Sequence, residues 1–156
     1  MNATVKADAA TLIAAYEFYT AAAGALSVPG LICSLTLQPY ALSCLKSSAS
    51  QGGNPLGLDV SLGPLVSVLL LSYWDNREDD DKIAETMRGV LEKVQKDSAD
   101  RGTAVPYTFL NYASQWQDPI GSYGAENKKM LQDVSKKYDP EGLFQRSVPG
   151  GFKLFA

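Results

Sequence analysis

The sequence predicts an α+β fold in which an antiparallel sheet carries its helices on one face. Three observations predict it. Residues 31–38 alternate apolar and mixed side chains with the period of a strand, and residues 65–74 form a second strand pattern, apolar on both faces. No helical pattern separates these two strands, and strands joined that way pair antiparallel. Apolar residues spaced at three and four mark amphipathic helices elsewhere in the chain.

Residues 3–6 read as a short strand. Asp8 is suited to cap a helix running to residue 25. Its apolar stripe is Leu12, Tyr16, Tyr19 and Ala23, with Ile13 and Leu26 alongside, and Pro29-Gly30 ends the unit. In the strand at 31–38, Leu31, Cys33, Leu35 and Leu37 lie on one side, and Ile32, Ser34, Thr36 and Gln38 on the other. Residues 41–63 are rich in Ser, Gly, Asn and Pro and read as a long loop or lid. The strand at 65–74 takes a central place because both its faces are apolar.

Asp75 or Asn76 caps a second helix with the stripe Ile83, Met87, Val90, Leu91 and Val94, and Gly102 lies past its end. Residues 105–110 are a short strand candidate. Ser122 or Tyr123 starts a third helix, with Met130, Leu131, Val134 and Tyr138 on one side, stopped by Asp139-Pro140. Residues 152–155 read as a terminal strand. The order is strand, helix, strand, strand, helix, short strand, helix, which resembles a ferredoxin-like arrangement.

A chain of 156 residues reads as a single domain, 1–156, with enough length for a real core. Net charge is −3 with both signs dispersed and no basic stripe, which argues against a nucleic-acid partner. The longest apolar run, 65–71, is too short to span a bilayer, so no membrane role is expected. The start of the chain lacks a basic-then-apolar leader, which points to a cytoplasmic protein or a truncated one. There is no histidine, and Cys33 and Cys44 are too few for a disulfide framework. The acid run Glu78, Asp79, Asp80 and Asp81 sits where a helix begins and complements its dipole, so no metal site is expected.

The candidate site lies on the sheet face turned away from the helices. Thr36 and Gln38 point there, with either Tyr73 and Ser67 or Trp74 and Ser72, depending on strand parity. Gln38, Tyr40, Tyr73 and Asn111 fall near strand ends, where a phenol or amide could donate to a substrate carbonyl; these are the catalytic candidates. Thr36, Ser67, Trp74, Tyr107, Tyr112 and Trp116 are the substrate-binding candidates. Asp59 and Asp118 are the first loop carboxylates to test. A partly apolar face left open calls for a cover, and a homodimer through that face is expected.

Several motifs carry a resemblance. Phe109-Leu110-Asn111-Tyr112 is followed by Gln117-Asp118-Pro119-Ile120-Gly121-Ser122-Tyr123-Gly124, then Lys137-Tyr138-Asp139-Pro140-Glu141-Gly142-Leu143-Phe144, then Val148-Pro149-Gly150-Gly151-Phe152-Lys153-Leu154. With Ser34-Leu35-Thr36-Leu37-Gln38-Pro39 and Gly52-Gly53-Asn54-Pro55-Leu56-Gly57-Leu58, they resemble the carboxy-terminal part of the berberine-bridge-enzyme-like FAD-linked oxidases, especially the fungal secondary-metabolism branch. In that family an amino-terminal domain holds the FAD, usually anchored through a His and a Cys. The resemblance implies that Asn111 lies where the family's Asn touches the flavin ring, and that the open sheet face roofs the substrate.

No glycine-rich dinucleotide fingerprint opens a helix here, so no cofactor is expected. The function this implies is a cofactor-independent cyclase or isomerase, such as a pericyclase. It would act on a hydrophobic polyketide- or terpenoid-like intermediate through shape-controlled folding and hydrogen bonding to a carbonyl. The alternatives are a non-catalytic binding module, half of a split FAD-linked oxidase, or an inactive fragment.

Overall fold

The computed structural model describes residues 1–155. Strands β1 (Asn2–Lys6), β2 (Ile32–Tyr40), β3 (Leu65–Tyr73) and β4 (Ala104–Val105) form one antiparallel sheet in the order β2-β3-β1-β4. The helices are α1 (Ala9–Ala25), α2 (Leu42–Ser50), α3 (Asp80–Asp100), α4 (Ala125–Tyr138) and α5 (Leu143–Arg146). β1, α1, β2, β3, α3 and β4 follow the split βαββαβ order of the ferredoxin-like fold. α2 interrupts the β2–β3 connection, and α4 and α5 follow the sheet.

The main core lies between the sheet and the α1–α3 layer. Ala3 and Val5 of β1 and Val66, Val68 and Leu70 of β3 share one face. They pack with Leu12, Ala15 and Phe18 of α1 and with Val90, Leu91 and Val94 of α3. The predicted stripe of α3 is buried at every position. The stripe of α1 is turned from its predicted setting. Ile13 and Tyr16 are each 57% exposed, while Ala14, Ala15 and Thr11 are buried. This alanine-rich helix is apolar around much of its circumference, so period alone did not select the buried face; small residues sit where α1 approaches α3. Its start is as predicted: Thr11 donates through both N and Oγ1 to Asp8 Oδ1, each at 2.9 Å. Those bonds hold the Asp8 carboxyl below its ordinary range.

Four local expectations need correction. Residues 41–63, expected as a loop or lid, contain α2 and a 3-10 turn at Val60–Leu62. Leu45, Leu56, Leu58 and Val60, dispersed among Ser and Gly, anchor this segment to Leu65, Tyr107 and Tyr123. The second helix is capped by neither Asp75 nor Asn76; a 3-10 turn at Arg77–Asp79 leads into it. Residues 152–155 form no strand; Leu154 is instead tied by side chains, accepting from Gln132 Nε2 at 2.6 Å and donating to Gln145 Oε1 at 2.9 Å. The strand at 105–110 shrinks to Ala104–Val105, since Pro106 has no N–H to continue the ladder.

Beyond Pro106, side-chain amides replace the ladder. Asn2 Nδ2 donates to Phe109 O at 3.0 Å, and Phe109 N donates to Asn2 Oδ1 at 2.9 Å. Gln117 Nε2 donates to Asn2 O at 2.7 Å, while Gln117 Oε1 accepts from Asn2 N and Ser114 N. Asn2 is fully buried and Gln117 is 8% exposed, so removing one partner strands the other in a dry place. Gln117→Ala is expected to lower unfolding stability by about 2 kcal/mol, read from urea denaturation. A loss below about 0.5 kcal/mol would mean that water replaces the amide without penalty.

Candidate functional site

The sheet face opposite α1 and α3 is built by Ile32, Ser34, Thr36, Gln38 and Tyr40 of β2. They lie across from Tyr73, Leu71, Leu69, Ser67 and Leu65 of β3. Asn2 and Thr4 extend it across β1, opposite Leu69 and Ser67. Directly opposed residues in an antiparallel pair point to the same side, so the parity is settled: Tyr73 goes with Ser67, and Ser72 faces the helices.

One end of this face is roofed and the other is open. α2, the 3-10 turn at Val60–Leu62, Tyr107 and Tyr123 cover the end that holds Tyr40 and Leu65. At the open end Ile32 is 67% exposed and Tyr73 61%. Gly57 lets the roof close. Its φ is +71°, and a Cβ there would lie 2.6 Å from Tyr123 O, so only glycine permits that backbone approach.

Three phenols meet under the roof. Tyr40 and Tyr107 pack edge to face with ring centroids 5.8 Å apart, and Tyr107 stacks on Tyr123 at 5.7 Å. Tyr40 lies against Tyr107 and Ser67. The buried hydroxyls of Ser67 and Thr4 nonetheless complete no aligned hydrogen bond within the chain. A cavity of about 300 Å³ opens at the β4 edge of the sheet, bordered by Thr4, Val105, Tyr107 and Thr108 together with Gln95 and Ser98 of α3; Tyr40, Ser67 and Tyr123 do not border it. A larger hollow of about 490 Å³ lies at the α4–α5 end, among Lys136, Asp139, Arg146, Lys153 and Phe155. Its Lys153 ammonium is already occupied by Phe144 O and Val148 O, and no phenol borders it.

Burial is the main cause that pushes all three phenols above the ordinary tyrosine value. For Tyr107 the nearby Tyr40 and Tyr123 add to burial, and for Tyr123 the nearby Tyr40 does. For Tyr40 the nearby hydroxyls of Tyr107 and Ser67 partly oppose it. These groups are therefore neutral hydrogen-bond donors near neutral pH, not bases. Because each folded value is raised, its contribution to stability is complete below the ordinary value of 10.0 and is lost as pH climbs through the folded values. Stability is expected to fall above about pH 10 and to fall less steeply in Tyr107→Phe, as checked by urea unfolding at a series of alkaline pH values.

Of the predicted site residues, Tyr40, Ser67 and Tyr107 come together. Tyr112 is near enough to influence Tyr40, and its ring packs edge-on to Phe109 at 4.9 Å. Thr36 and Gln38 share the face, half-buried and exposed respectively, and Tyr73 stands at the open end. Three predicted residues lie elsewhere or point outward. Trp74 donates from Nε1 to Asp80 Oδ1 at 2.6 Å, at the start of α3. Trp116 lies beneath the Arg88 guanidinium of α3, 4.6 Å from the ring centroid. Asn111 is exposed in the 3-10 turn Leu110–Tyr112. Asp59 and Asp118 are local caps, accepting from Ser61 N at 2.7 Å and Gly121 N at 2.8 Å. Thr4 and Tyr123 were missed. Tyr123 reads in sequence only as a helix start, and Thr4 gains its place through pairing with Ser67.

Among the described residues, no group of three or more His, Cys, Asp or Glu side chains could hold a metal ion, and no helix is long and apolar enough to cross a membrane. The starts of α1 and α3 do not suit the pyrophosphate of FAD, which needs free backbone N–H groups or cations. Asp8 occupies the start of α1, and four acids crowd the approach to α3. Gly52 and Gly53 follow α2 instead of opening a helix.

Fold and site together define a ferredoxin-like unit with a phenol-lined, partly roofed sheet face. Its relatives are fungal FAD-dependent monooxygenase-like proteins. The chain is 39% identical over 120 residues to the FAD-dependent monooxygenase FUP4 of Fusarium proliferatum, covering 77% of this chain and 23% of the relative. It is 35% identical over 159 residues to the FAD-dependent monooxygenase tpcD of Cochliobolus heterostrophus, covering 98% and 31%. It is 37% identical over 117 residues to the bifunctional solanapyrone synthase of Alternaria solani, covering 75% and 22%. The chain thus spans less than a third of the length of these relatives. No protein-family model and no solved structure matches it.

Proposed function

We propose that this chain is a substrate-holding unit of fungal specialised metabolism, derived from an FAD-linked oxidase lineage. It binds an apolar, carbonyl-bearing polyketide- or terpenoid-like intermediate against the sheet face. Acting alone, it favours ring closure or double-bond isomerisation at constant oxidation state. The supporting observation is the cluster of neutral phenols Tyr40, Tyr107 and Tyr123 beside the unpartnered hydroxyls of Ser67 and Thr4. A carbonyl that gains negative charge during cyclisation is stabilised by a preorganised phenol donor in a dry site. The apolar walls hold the flexible chain in one reactive shape, which lowers the entropic part of the barrier.

A second reading is favoured by the relatives' length and printed names. In it, this unit presents substrate to a flavin carried on residues outside those described, as half of a split oxidase. One experiment separates the two. Purified, flavin-free protein is incubated with a linear polyene carrying a conjugated carbonyl, with and without FAD and a flavin-domain partner. A product of unchanged mass formed without flavin supports the first reading. A product two hydrogens lighter, formed only in the presence of both additions, supports the second. Absence of any product together with absence of saturable binding rejects the site.

A further inference from the structure

We propose that β2 is a dimerisation edge, at which two copies of this chain pair their β2 strands antiparallel about Thr36 and continue one sheet through both molecules. Among the described residues β2 is the outer strand, hydrogen-bonded only to β3. It is nine residues long and contains no charged residue. Natural edge strands are guarded by charge, brevity, bulges or proline. The opposite edge, β4, is guarded by brevity, with two residues. On β2 the sole guard is Pro39, one place from the strand's end. Apolar surface flanks the open edge: Ile32 is 67% exposed, Leu37 39%, and on the neighbouring strand Tyr73 is 61% and Leu71 39%.

Two features select a second copy as the occupant. An uncharged strand meets itself without repulsion. The two edges are also unequal: β2-to-β4 stacking, which would run on without closing, is blocked because β4 offers only two residues. Pairing of β2 with β2 closes about a two-fold axis and uses the same surface twice.

The register follows from the strand's length. Thr36 is the midpoint of β2, so pairing about it engages the whole strand and matches Ile32 with Tyr40 and Ser34 with Gln38. Opposed residues point to the same side, so the two ligand-side faces join. Ile32 of the second copy then lies beside Tyr40 and walls the open flank of the phenol site. Only this last consequence rests on the proposed function; the pairing itself does not.

The test reads mass and cross-linking, not turnover. Light scattering of the full chain at micromolar concentration is expected to give twice the 16.8 kDa chain mass. Thr36→Lys sets two like charges face to face and is expected to return the mass to that of one chain with the circular dichroism spectrum unchanged. A second variant, Thr36→Cys with Cys33→Ser and Cys44→Ser, guards against misfolding of the first. Opposed Cα atoms in an antiparallel pair lie about 4.5–5.5 Å apart, within disulfide reach. Mild oxidation is expected to link that variant into a covalent dimer on a non-reducing gel. A single-chain mass for the unmodified protein, a dimer indifferent to Thr36→Lys, or no cross-link in the cysteine variant overturns the proposal.

Discussion

Replacing Leu91 with alanine is expected to lower the free energy of unfolding by about 3 kcal/mol. Leu91 has no exposed surface and packs in one cluster with Ala3, Leu70 and Val90, at the centre of the face α3 lays on the sheet. The lost methyl groups forfeit their transfer energy. The walls around the gap belong to β1, β3 and α1, and the sheet ladder holds the two strands in register, so the gap cannot collapse fully. Urea denaturation with a common slope for both proteins measures the loss. Met130→Ala on α4 is the internal control. Met130 is 45% exposed, and its truncation is expected to cost less than about 1 kcal/mol. Equal losses in the two variants would mean that the core is not centred on α3.

Replacing Tyr40 with phenylalanine is expected to slow any cyclisation or isomerisation about 100-fold while leaving the fold intact. The ring remains to pack edge-on to Tyr107, so the roof over the sheet keeps its support. Only the hydroxyl is lost, from the phenol that lies against Ser67 and Tyr107. A donor that acts mainly on developing charge lowers kcat more than it alters KM, and this split distinguishes a catalytic phenol from a packing one. If Tyr40→Phe turns over as fast as the unmodified protein while Tyr107→Phe does not, the donor is Tyr107 and the assignment moves by one residue. If neither variant slows the reaction, hydrogen bonding is not the source of rate.

Some parts of the fold could be read from sequence, for identifiable reasons. The buried stripe of α3, though not its start, was legible to the residue because it stands against a charged background. β2 and β3 were legible because the first alternates and the second is apolar on both faces in its middle. The interior face of α1 was hidden, since alanines and aromatics share its surface. α2 was hidden because its anchoring leucines stand singly among serines. The downstream half of the 105–110 segment failed as a strand because two distant side-chain amides, on Asn2 and Gln117, supply the bonds a neighbouring strand would have made.

The same distinction holds at the site. Strand parity and pairing put Tyr40 and Ser67 on one face, whereas Tyr107 reaches them from beyond the short strand β4. Trp74 and Trp116 were drawn away by partners on α3, Asp80 and Arg88, that no spacing rule connects to them. Tyr123 could not be found without knowing that Gly57 brings the roof segment against its carbonyl.

The insertion of α2 between β2 and β3 has a consequence for how such a unit can diverge. Most of the open sheet face and part of its roof come from one unbroken stretch, β2 through β3, whereas α1 and α3 are coded on either side of it and Tyr107 and Tyr123 join the roof from further along the chain. Within that stretch the segment 41–63 can change with little cost to the main core, whereas Val66, Val68 and Leu70 of β3 are tied to α1 and α3 and must be kept.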